Sequence, residues 1–503
     1  MSPLPSPETR RTNAGELVPL FDRAPGDAVL IEAAGPVSRV RIEQRVNRLA
    51  ARLRAHAGSA PGMRHALNLC DDRRHFLTAF AAVIAAGCVN LLPPNRQRDT
   101  VAGLVERYPD VFIVHDGSVT GMELPCAAIN VRPAANQASD QTSGQAFGQV
   151  SGEASGEAIE PTAGRGDDAR TPRPAARRDA LAAVSFTSGS TGVPGANPKS
   201  WGALIDGTAI NARAMLDLAS EHDGGTLTVL ATVPPQHMYG LELSVLLPMR
   251  APVCVANGQP LYPADVAAAL ERCPRPRALV TTPAHLRALI GSTVPLPPVE
   301  RVFSATAPLS IALARDSERA FKASLIEIYG CSEVGSVARR RSAHDELWQV
   351  FDGLSLAPLP TPSPDGISYR VSAPHLRTAP ELQDTLEIVA PGHFRLAGRQ
   401  GDLLNIAGKR GSLAEITRHL LQAPGVLDAV AFQIEQGRLV AIVVAPDGHR
   451  DAILGTLRAH LDPVFLPRPL LFTDRLPRQP SSKLLAGDVR ALYEQLLGAR
   501  NRA

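Results

Sequence analysis

A short stretch rich in hydroxyls and glycines, Phe186-Thr187-Ser188-Gly189-Ser190-Thr191-Gly192, follows the apolar residues 181–185. Glycines let the backbone turn tightly and approach a polyanion closely, and the hydroxyls and exposed amides supply donors for phosphate oxygens. The stretch is not a Walker A loop, because no Gly-Lys-Ser or Gly-Lys-Thr follows at the required spacing. It therefore indicates either a phosphate-binding loop of another kind or an ordinary polar turn.

Five further segments carry residue types that could bind a nucleotide or take part in catalysis. They are Pro235-Gln236-His237-Met238-Tyr239-Gly240, Ser304-Ala305-Thr306-Ala307-Pro308, Tyr329-Gly330-Cys331-Ser332-Glu333, Asp384-Thr385 with Gly398-Arg399, and Pro480-Ser481-Ser482-Lys483. The first three of these segments follow predicted strands. In parallel sheets, ligands bind at the loops beyond the carboxyl ends of the strands, so these loops are the expected position of a site.

Strands that alternate with helical patterns would position these segments. We predict strands at residues 66–69, 226–233, 253–256, 278–282, 302–304 and 325–329, and helices at 42–55, 76–88, 263–272, 284–290 and 311–323. Beyond residue 398 we predict helices at 413–422, 451–461 and 489–497 with strands at 429–434 and 438–444. The predicted fold class is α/β: a large domain at 1–397 with mostly parallel sheets flanked by helices, and a small α+β domain at 398–503.

Residues 133–178 interrupt this pattern. They are rich in Gly, Ser, Gln, Ala and Glu, with Ser-Gly pairs at 143–144, 151–152 and 155–156, and they contain almost nothing apolar to bury. Such a segment cannot offset the entropy that ordering would cost, so we predict a disordered insertion within the large domain.

Deletion of residues 144–168 is expected to leave the melting temperature and the activity almost unchanged, because a segment of this composition makes few native contacts. Thermal unfolding of the full chain and of the deletion variant, followed by calorimetry, checks this expectation. A large fall in melting temperature would show that the segment packs against the rest of the protein.

Composition excludes several other classes of protein. The formal net charge of the 503 residues is only +3 and aromatic residues make up 4%, which disfavours a nucleic-acid surface. The six cysteines contain no Cys-x-x-Cys pair and suit free thiols in a reducing compartment. The first residues lack the pattern of a signal peptide, and the longest apolar run, 76–88, is too short to cross a bilayer. A cytoplasmic location without a membrane span is expected.

In order and spacing, these segments resemble the motifs of the adenylate-forming superfamily, which comprises acyl- and aryl-CoA synthetases, nonribosomal peptide adenylation domains and firefly luciferase. The resemblance extends to Lys483 and is interrupted only by the insertion. It implies a two-step reaction. A carboxylate attacks the α-phosphate of ATP·Mg²⁺ to give an acyl-adenylate and pyrophosphate, and a thiol then captures the acyl group as AMP leaves. It also implies a mobile C-terminal domain that carries the catalytic lysine.

The resemblance assigns roles to the nucleotide-binding residues. The loop Thr187, Ser188, Gly189, Ser190, Thr191 and Gly192 would hold the β- and γ-phosphates, with Lys199 nearby. Ser304, Ala305, Thr306, Tyr329 and Gly330 would form the rest of the nucleotide pocket. Asp384 would accept hydrogen bonds from the ribose hydroxyls, a bond that carboxylates form well, and Arg399 would support the ribose. Arg410 would reach a phosphate.

Catalysis would depend on four further residues. The resemblance implies that Ser332 binds the α-phosphate and that Glu333 is a Mg²⁺ ligand, since that ion prefers oxygen donors. Lys483 would bridge the attacking carboxylate and the phosphate, which neutralises charge where two anions meet. His237 would border the acyl pocket and close over the carboxylate.

The chain departs from the usual motifs at four places. Residues 193–197 separate Gly192 from Pro198-Lys199, so Lys199 either reaches the phosphates through a longer loop or contacts them weakly. Ala305 stands where a glycine is usual at the adenine platform. Gly401 occupies the hinge position, and Ser482 replaces the glycine before Lys483. None of these changes removes a charged group from the reaction, so we expect activity.

Several interpretations remain open at the level of sequence. The acid could be an aryl or a medium-chain acyl substrate, and the acceptor could be coenzyme A or the phosphopantetheine of a separate carrier protein. The modified loop at 192–201 resembles that of synthetases in aryl-polyene-type pigment clusters. A non-catalytic nucleotide- or acyl-binding protein of the same fold is the alternative, and the missing Walker lysine disfavours a P-loop kinase.

Overall fold

Two large β-sheets organise the chain in the computed structural model, which describes residues 15–59, 64–118, 126–132, 172–187, 195–216, 225–359, 368–376, 378–399, 403–406, 409–434, 438–445, 449–479 and 484–500. The amino-terminal elements are β1 Leu17–Pro19, β2 Ala28–Glu32, β3 Gly35–Ser38, α1 Arg39–Ser59, β4 His65–Asn68, α2 Arg73–Ala85, β5 Val89–Leu92, α3 Arg98–Arg107, β6 Val111–His115, β7 Ala128–Asn130, β8 Ala175–Arg177, β9 Leu181–Thr187, β10 Gly195–Ser200 and α4 Trp201–Leu216.

The first large sheet has the strand order β10-β9-β5-β4-β6-β7. Its strands are parallel except at the edge, where β10 runs antiparallel to β9 and Gly195 is paired with Thr187. The flanking helix α2 begins where the Asp72 side chain accepts hydrogen bonds from the amides of Arg74 and His75. Capping of this kind satisfies amides that have no partner within the helix.

The rest of the large domain comprises the second large sheet, its flanking helices and a separate two-stranded sheet. These are β11 Leu227–Ala231, α5 Met238–Leu241, a π-helical turn Glu242–Leu246, α6 Leu247–Arg250, β12 Val253–Ala256, α7 Pro263–Arg272, β13 Arg277–Thr281, α8 Pro283–Ile290, β14 Arg301–Ser304, α9 Ile311–Phe321, β15 Ser324–Cys331, β16 Gly335–Arg340, β17 Trp348–Val350, β18 Ser355–Pro358, β19 Tyr369–Ser372, β20 Asp384–Ala390 and β21 His393–Arg399. The order is β20-β21-β17-β16-β15-β14-β13-β11-β12-β2-β3, with a parallel centre from β15 to β2.

A buried arginine on α2 connects the two large sheets. Arg73 is 1% exposed and donates to the carbonyl of Ala231, the last residue of β11, at 3.1 Å and to that of Val233, just after β11, at 2.8 Å. Burial lowers its pKa to about 10, which still leaves the guanidinium charged at neutral pH. The arginine therefore fixes the backbone that leads into the segment containing His237.

The carboxyl-terminal elements form a separate small core. They are β22 Leu403–Ile406, β23 Lys409–Ser412, α10 Leu413–Gln422, β24 Asp428–Gln433, β25 Leu439–Val444, α11 Arg450–His460, a 3₁₀ turn Pro463–Phe465, β26 Leu470–Phe472 and α12 Ala486–Arg500. Ile416, Leu420, Ile453 and Leu457 pack together in this core. Asp428 accepts hydrogen bonds from Arg478 at 2.6 Å and from Arg287 of α8 at 3.3 Å, so one carboxylate contacts both parts of the chain.

The structure confirms the predicted α/β class and corrects some of the boundaries. Residues 172–178, predicted as the end of the insertion, belong to the fold because β8 pairs with β1 and Ala176 is buried. The strand β21 continues to Arg399, two residues past the predicted end of the large domain at 397, because it pairs with β20 along its length. The other residues of the predicted insertion, 133–171, lie outside the described residues.

No helix among the described residues is both long enough and apolar enough to span a membrane.

Candidate active site

Three of the predicted segments meet at the carboxyl edge of the second sheet. The segment with His237 follows β11, the Ser304 segment follows β14, and the turn with Ser332 and Glu333 follows β15. These strands are neighbours or near neighbours in the parallel part of the sheet, with β13 between β11 and β14. Because parallel strands end at the same edge, the three segments lie on one side of the molecule, as the sequence predicted.

Asp384 is held by the strand that leads into this turn. The hydroxyl of Tyr329 donates to Asp384 Oδ2 at 2.7 Å. Tyr329 itself packs against Trp348 and Phe394, with ring centroids 5.7 Å away in both cases. The register also pairs the backbone of Asp384 with that of Arg399, whose side chain lies outside the description. The carboxylate is therefore fixed in position, and the two residues predicted to bind ribose lie on adjacent strands.

The end of β14 carries polar groups that are buried. Ser304 is fully buried, and neither Ser304 Oγ nor the buried Thr306 Oγ1 has a hydrogen-bond partner among the described residues. Thr306 adopts φ +81°, which is unusual for a β-branched residue and strains the backbone. Ala305, between them, is 6% exposed. Such features favour a binding site, since buried hydroxyls without partners are costly unless a ligand satisfies them.

The turn with Ser332 and Glu333 joins β15 to the antiparallel strand β16. Both side chains are half-buried. A Cβ at Gly330 would lie 2.3 Å from the carbonyl oxygen of Gly335, so the two glycines let the strands approach closely. Burial, followed by the nearby Glu333 carboxylate, raises the pKa of Cys331 to about 12, so the thiol stays neutral.

Lys199 on β10 reaches across to this turn. Its Nζ donates to the backbone carbonyl of Glu333, and the residue is only 7% exposed. Burial lowers the pKa of the amine, while the nearby carboxylate of Glu242 opposes that shift. Lys199 thus connects the strand that follows the phosphate loop with the turn predicted to bind Mg²⁺. Its predicted contact with nucleotide phosphates stays a prediction.

His237 stands directly before helix α5 in extended backbone conformation and is half-buried. The neighbouring Gln236 is 7% exposed, and its Oε1 lacks a partner within the described part of the chain. Burial raises the pKa of Tyr239 well above its usual range, which keeps the hydroxyl neutral. At Gly240 a Cβ would lie 2.0 Å from the carbonyl oxygen of Pro234, so only glycine fits this turn.

Some predicted site residues lie outside the described residues or have side chains that do. These are Thr187 (side chain), Ser188, Gly189, Ser190, Thr191, Gly192, Arg399 (side chain), Arg410 (side chain) and Lys483. The paired backbones of Thr187 and Gly195 bring together the two strands that flank residues 188–194, which include most of the predicted phosphate loop. The roles of these residues stay predictions.

One residue near the site was missed at the level of sequence. Glu242 lies 6% exposed at the start of the π-helical turn, and Ser336 Oγ donates to its Oε2 at 2.7 Å. A signal was present, because Glu242 is a lone carboxylate within the apolar run 241–247. Charged residues are rarely buried unless they have a partner, so such a glutamate indicates a polar contact inside the core.

A cavity of about 580 Å³ lies far from this edge, at the amino-terminal ends of β14 and β15. Arginines line much of it, and three are paired with carboxylates: Arg275 with Glu300, Arg341 with Glu318, and Arg319 with Asp316. Because three of its arginines are already paired with carboxylates and the cavity lies away from the predicted motifs, we do not assign the substrate site to it.

This two-sheet α/β body, with polar loops at one edge and a small α+β domain after it, is the architecture of adenylate-forming ligases. Residues 21–374 match the family described as AMP-binding enzyme, and the chain belongs to that family. It is 31% identical over 314 residues to a 4-coumarate–CoA ligase of Rhodobacter capsulatus, covering 60% of this chain and 74% of that protein. A 4-coumarate–CoA ligase of Halorhodospira halophila is 29% identical over 312 residues, covering 59% and 73%.

Solved structures show the same fold. ATP-bound MatB from Rhodopseudomonas palustris superposes with a TM-score of 0.72 at 18% identity, covering 94% of this chain and 98% of that one. The o-succinylbenzoate coenzyme A synthetase MenE of Bacillus subtilis, in complex with AMP, gives a TM-score of 0.71 at 18% identity, with coverage of 94% and 98%. The protein is an AMP-forming acid–thiol ligase: it activates a carboxylic acid with ATP and transfers the acyl group to a thiol.

Proposed function

We propose that the edge of the second sheet binds ATP and Mg²⁺ and that the acid is an aryl or medium-chain carboxylate. The observation that carries the assignment of the site is the hydrogen bond of 2.7 Å between Tyr329 and Asp384. It links a fixed carboxylate, suited to two ribose hydroxyls, to the strand β15, which leads into the turn with Ser332 and Glu333. A nucleotide bound by Asp384 would thus place its phosphates near that turn.

The donor set fits a magnesium ion. Mg²⁺ is usually held by one or two carboxylates together with substrate phosphates and water, and no dedicated cage is needed. Among the described residues no group of three His, Cys, Asp or Glu side chains converges, and Glu333 is a half-buried carboxylate at the site edge. The ion would neutralise charge on the phosphates. Glu333 would hold it, and Ser332 would donate to the α-phosphate.

The remaining residues would position and screen the reacting groups. Ser304, Ala305, Thr306 and Gly330 would surround the base, Arg399 and Arg410 would support ribose and phosphate, and the loop Thr187–Gly192 would hold the β- and γ-phosphates. His237 would border the acyl group, and Lys483 would reduce the repulsion between the carboxylate and the α-phosphate. The first step brings two anions together, so positioning and charge screening matter more than a strong base.

An aryl acid with a hydroxyl group is the substrate we would test first. Two relatives are named 4-coumarate–CoA ligases, and the buried Gln236 Oε1 next to His237 offers an acceptor to a phenolic hydroxyl. ATP–pyrophosphate exchange with hydroxybenzoic, cinnamic and straight-chain fatty acids tests the class. Exchange that is highest with hydroxyaryl acids supports the proposal, and exchange only with fatty acids overturns the aryl assignment.

The thiol acceptor can be tested in the same assay system. Supplied acyl-adenylate is offered either to coenzyme A or to a phosphopantetheinylated carrier protein, and thioester formation is followed by mass spectrometry. We expect coenzyme A to be used. A reaction with the carrier alone would make a separate carrier protein the physiological partner.

Absence of ATP–pyrophosphate exchange with every acid, together with intact ATP binding, would support a degenerate binding protein.

The Asp384→Asn variant is expected to raise the KM for ATP by roughly 10-fold or more, because a hydrogen bond to a charged group is worth about 1.5–3 kcal/mol. Asparagine keeps an oxygen that can accept from Tyr329, so the fold should persist. Glu346→Gln is the matched control, since Glu346 is an exposed carboxylate paired with Arg395 of β21 at 3.0 Å. An unchanged KM in Asp384→Asn would remove the ribose assignment.

A further inference from the structure

A buried carboxylate on the π-helical turn contacts the far end of the turn that carries Ser332 and Glu333. Ser336 Oγ donates to Glu242 Oε2 at 2.7 Å, and the backbone amide of Ser336 donates to Glu242 Oε1 at 3.3 Å. The side chain of Asn211 on α4 also forms a hydrogen bond with this carboxylate. Glu242 Oε1 lies so close to Gly335 that a Cβ there would be 2.2 Å from it. Each oxygen of the Glu242 carboxylate therefore accepts a hydrogen bond from Ser336.

Lys199 holds the other end of the same turn. Its amine donates to the carbonyl of Glu333, three residues before Ser336, while its charge interacts favourably with Glu242. Both side chains are buried, at 7% and 6% exposure. A buried charge is costly unless a partner of opposite charge and hydrogen bonds compensate for it. The nearby Glu242 carboxylate favours the charged form of Lys199, and the hydrogen bonds of the two side chains hold the turn at both ends.

We propose that Glu242 is a positioning residue, which holds the turn of residues 331–336 and Lys199 in the arrangement that Ser332 and Glu333 need in order to bind the nucleotide and its metal ion. The proposal rests on the functions proposed above for those two residues. Glu242 touches no reacting atom. It acts through the backbone of Ser336 and through the amine of Lys199.

The local backbone supports this role. Glu242 is the first residue of a π-helical turn, which widens the helix by one residue per turn and often marks functional sites. The Ser244 hydroxyl in the same turn donates to the carbonyl of Gly240 at 2.5 Å. The turn thus presents the carboxylate toward β16 from a segment that also carries His237 just before it. Loss of the carboxylate would affect the metal-binding turn more than the rest of the sheet.

The Glu242→Gln variant tests the proposal, because it keeps the shape of the side chain and removes its charge. We expect the KM for MgATP to rise about 10-fold, with kcat changed less, since a hydrogen bond to a charged group is lost. We also expect faster hydrogen exchange at the amides of residues 332–336. A Glu242→Asp variant, which keeps the charge on a shorter side chain, should recover part of the affinity.

Glu327→Gln is the matched control. Glu327 is a buried carboxylate on β15 that also accepts a serine hydroxyl, from Ser342 at 2.6 Å, and it pairs with Arg340. It lies in the middle of β15, four residues before Cys331. Its variant should lose stability without a change in the KM for MgATP or in exchange at residues 332–336.

Equal effects of Glu242→Gln and Glu327→Gln on the KM would overturn the proposal, as would unchanged exchange at the turn. The measurement of hydrogen exchange at residues 332–336 requires neither turnover nor bound nucleotide. It therefore tests the role of Glu242 even if ATP–pyrophosphate exchange fails, an outcome that would count against the proposed function instead.

If Glu242→Gln does not fold, Ser336→Ala, which removes only the hydroxyl donor, should produce a smaller change in the same direction. No change in exchange at the turn in Ser336→Ala would then overturn the proposal.

Discussion

Replacement of Lys483 by alanine is expected to reduce carboxylate-dependent ATP–pyrophosphate exchange by about 10²–10³-fold, comparable to the loss of one donor that stabilises a transition-state charge. The physical reason is that the first step joins a carboxylate to a phosphate, and without a cation between them their repulsion raises the barrier. The measurement is isotope exchange from pyrophosphate into ATP at saturating acid and ATP.

The second half-reaction serves as the internal control for this variant. Thioester formation from supplied acyl-AMP and coenzyme A starts after the two anions have been joined, so Lys483→Ala should retain it. Lys483→Arg, which keeps the charge in a different geometry, should fall between the wild type and the alanine variant. Normal exchange in Lys483→Ala would show that another cation performs this task.

Replacement of Gly335 by alanine is expected to destabilise the protein and to impair adenylation. Gly335 has φ +97°, where a side chain costs about 1–3 kcal/mol, and a Cβ would collide with Glu242 Oε1 at 2.2 Å. Because Glu242 is enclosed by Ser336 and Asn211, it cannot move away without loss of hydrogen bonds. We expect a lower melting temperature together with a fall in exchange activity of more than roughly tenfold.

The Gly392→Ala variant distinguishes the effect of backbone strain from the effect of the collision with Glu242. Gly392 lies in the turn between β20 and β21 with φ +72°, and nothing comes within 4 Å of a Cβ built there. Its alanine variant should show the conformational cost alone, with a modest fall in melting temperature and normal activity. If Gly335→Ala were no worse than Gly392→Ala in both measurements, the close contact with Glu242 would not constrain the turn.

Together these variants test three parts of the site separately. Asp384→Asn addresses nucleotide binding, Lys483→Ala addresses the first chemical step, and Gly335→Ala and Glu242→Gln address the turn between them. The nucleotide part depends on Tyr329, whose ring is enclosed by Trp348 and Phe394. The turn depends on two buried ionisable side chains that hold its two ends, Lys199 and Glu242. The measurements therefore respond to separate physical causes.

The sequence by itself determined the class of fold, the order of the motifs and several element boundaries. The helices α7 and α10 begin and end where predicted, at Pro263–Arg272 and Leu413–Gln422. These boundaries are local: a proline starts α7, and apolar residues at helical spacing such as Ile416 and Leu420 mark the buried side of α10. The alternation of strands and helices likewise predicted parallel sheets, because a crossover helix is the usual connection between parallel strands.

Only the tertiary structure decided which residues meet. Tyr329 and Asp384 are 55 positions apart, Glu242 and Ser336 are 94 apart, and Lys199 and Glu333 are 134 apart. Periodicity shows which side of a strand is buried but not which strands become neighbours, so it could not place β20 in the same sheet as β15. The pairing of β8 with β1 and the close contact between Glu242 and Gly335 could not be predicted for the same reason. They depend on how distant segments pack, and local sequence patterns do not record that packing.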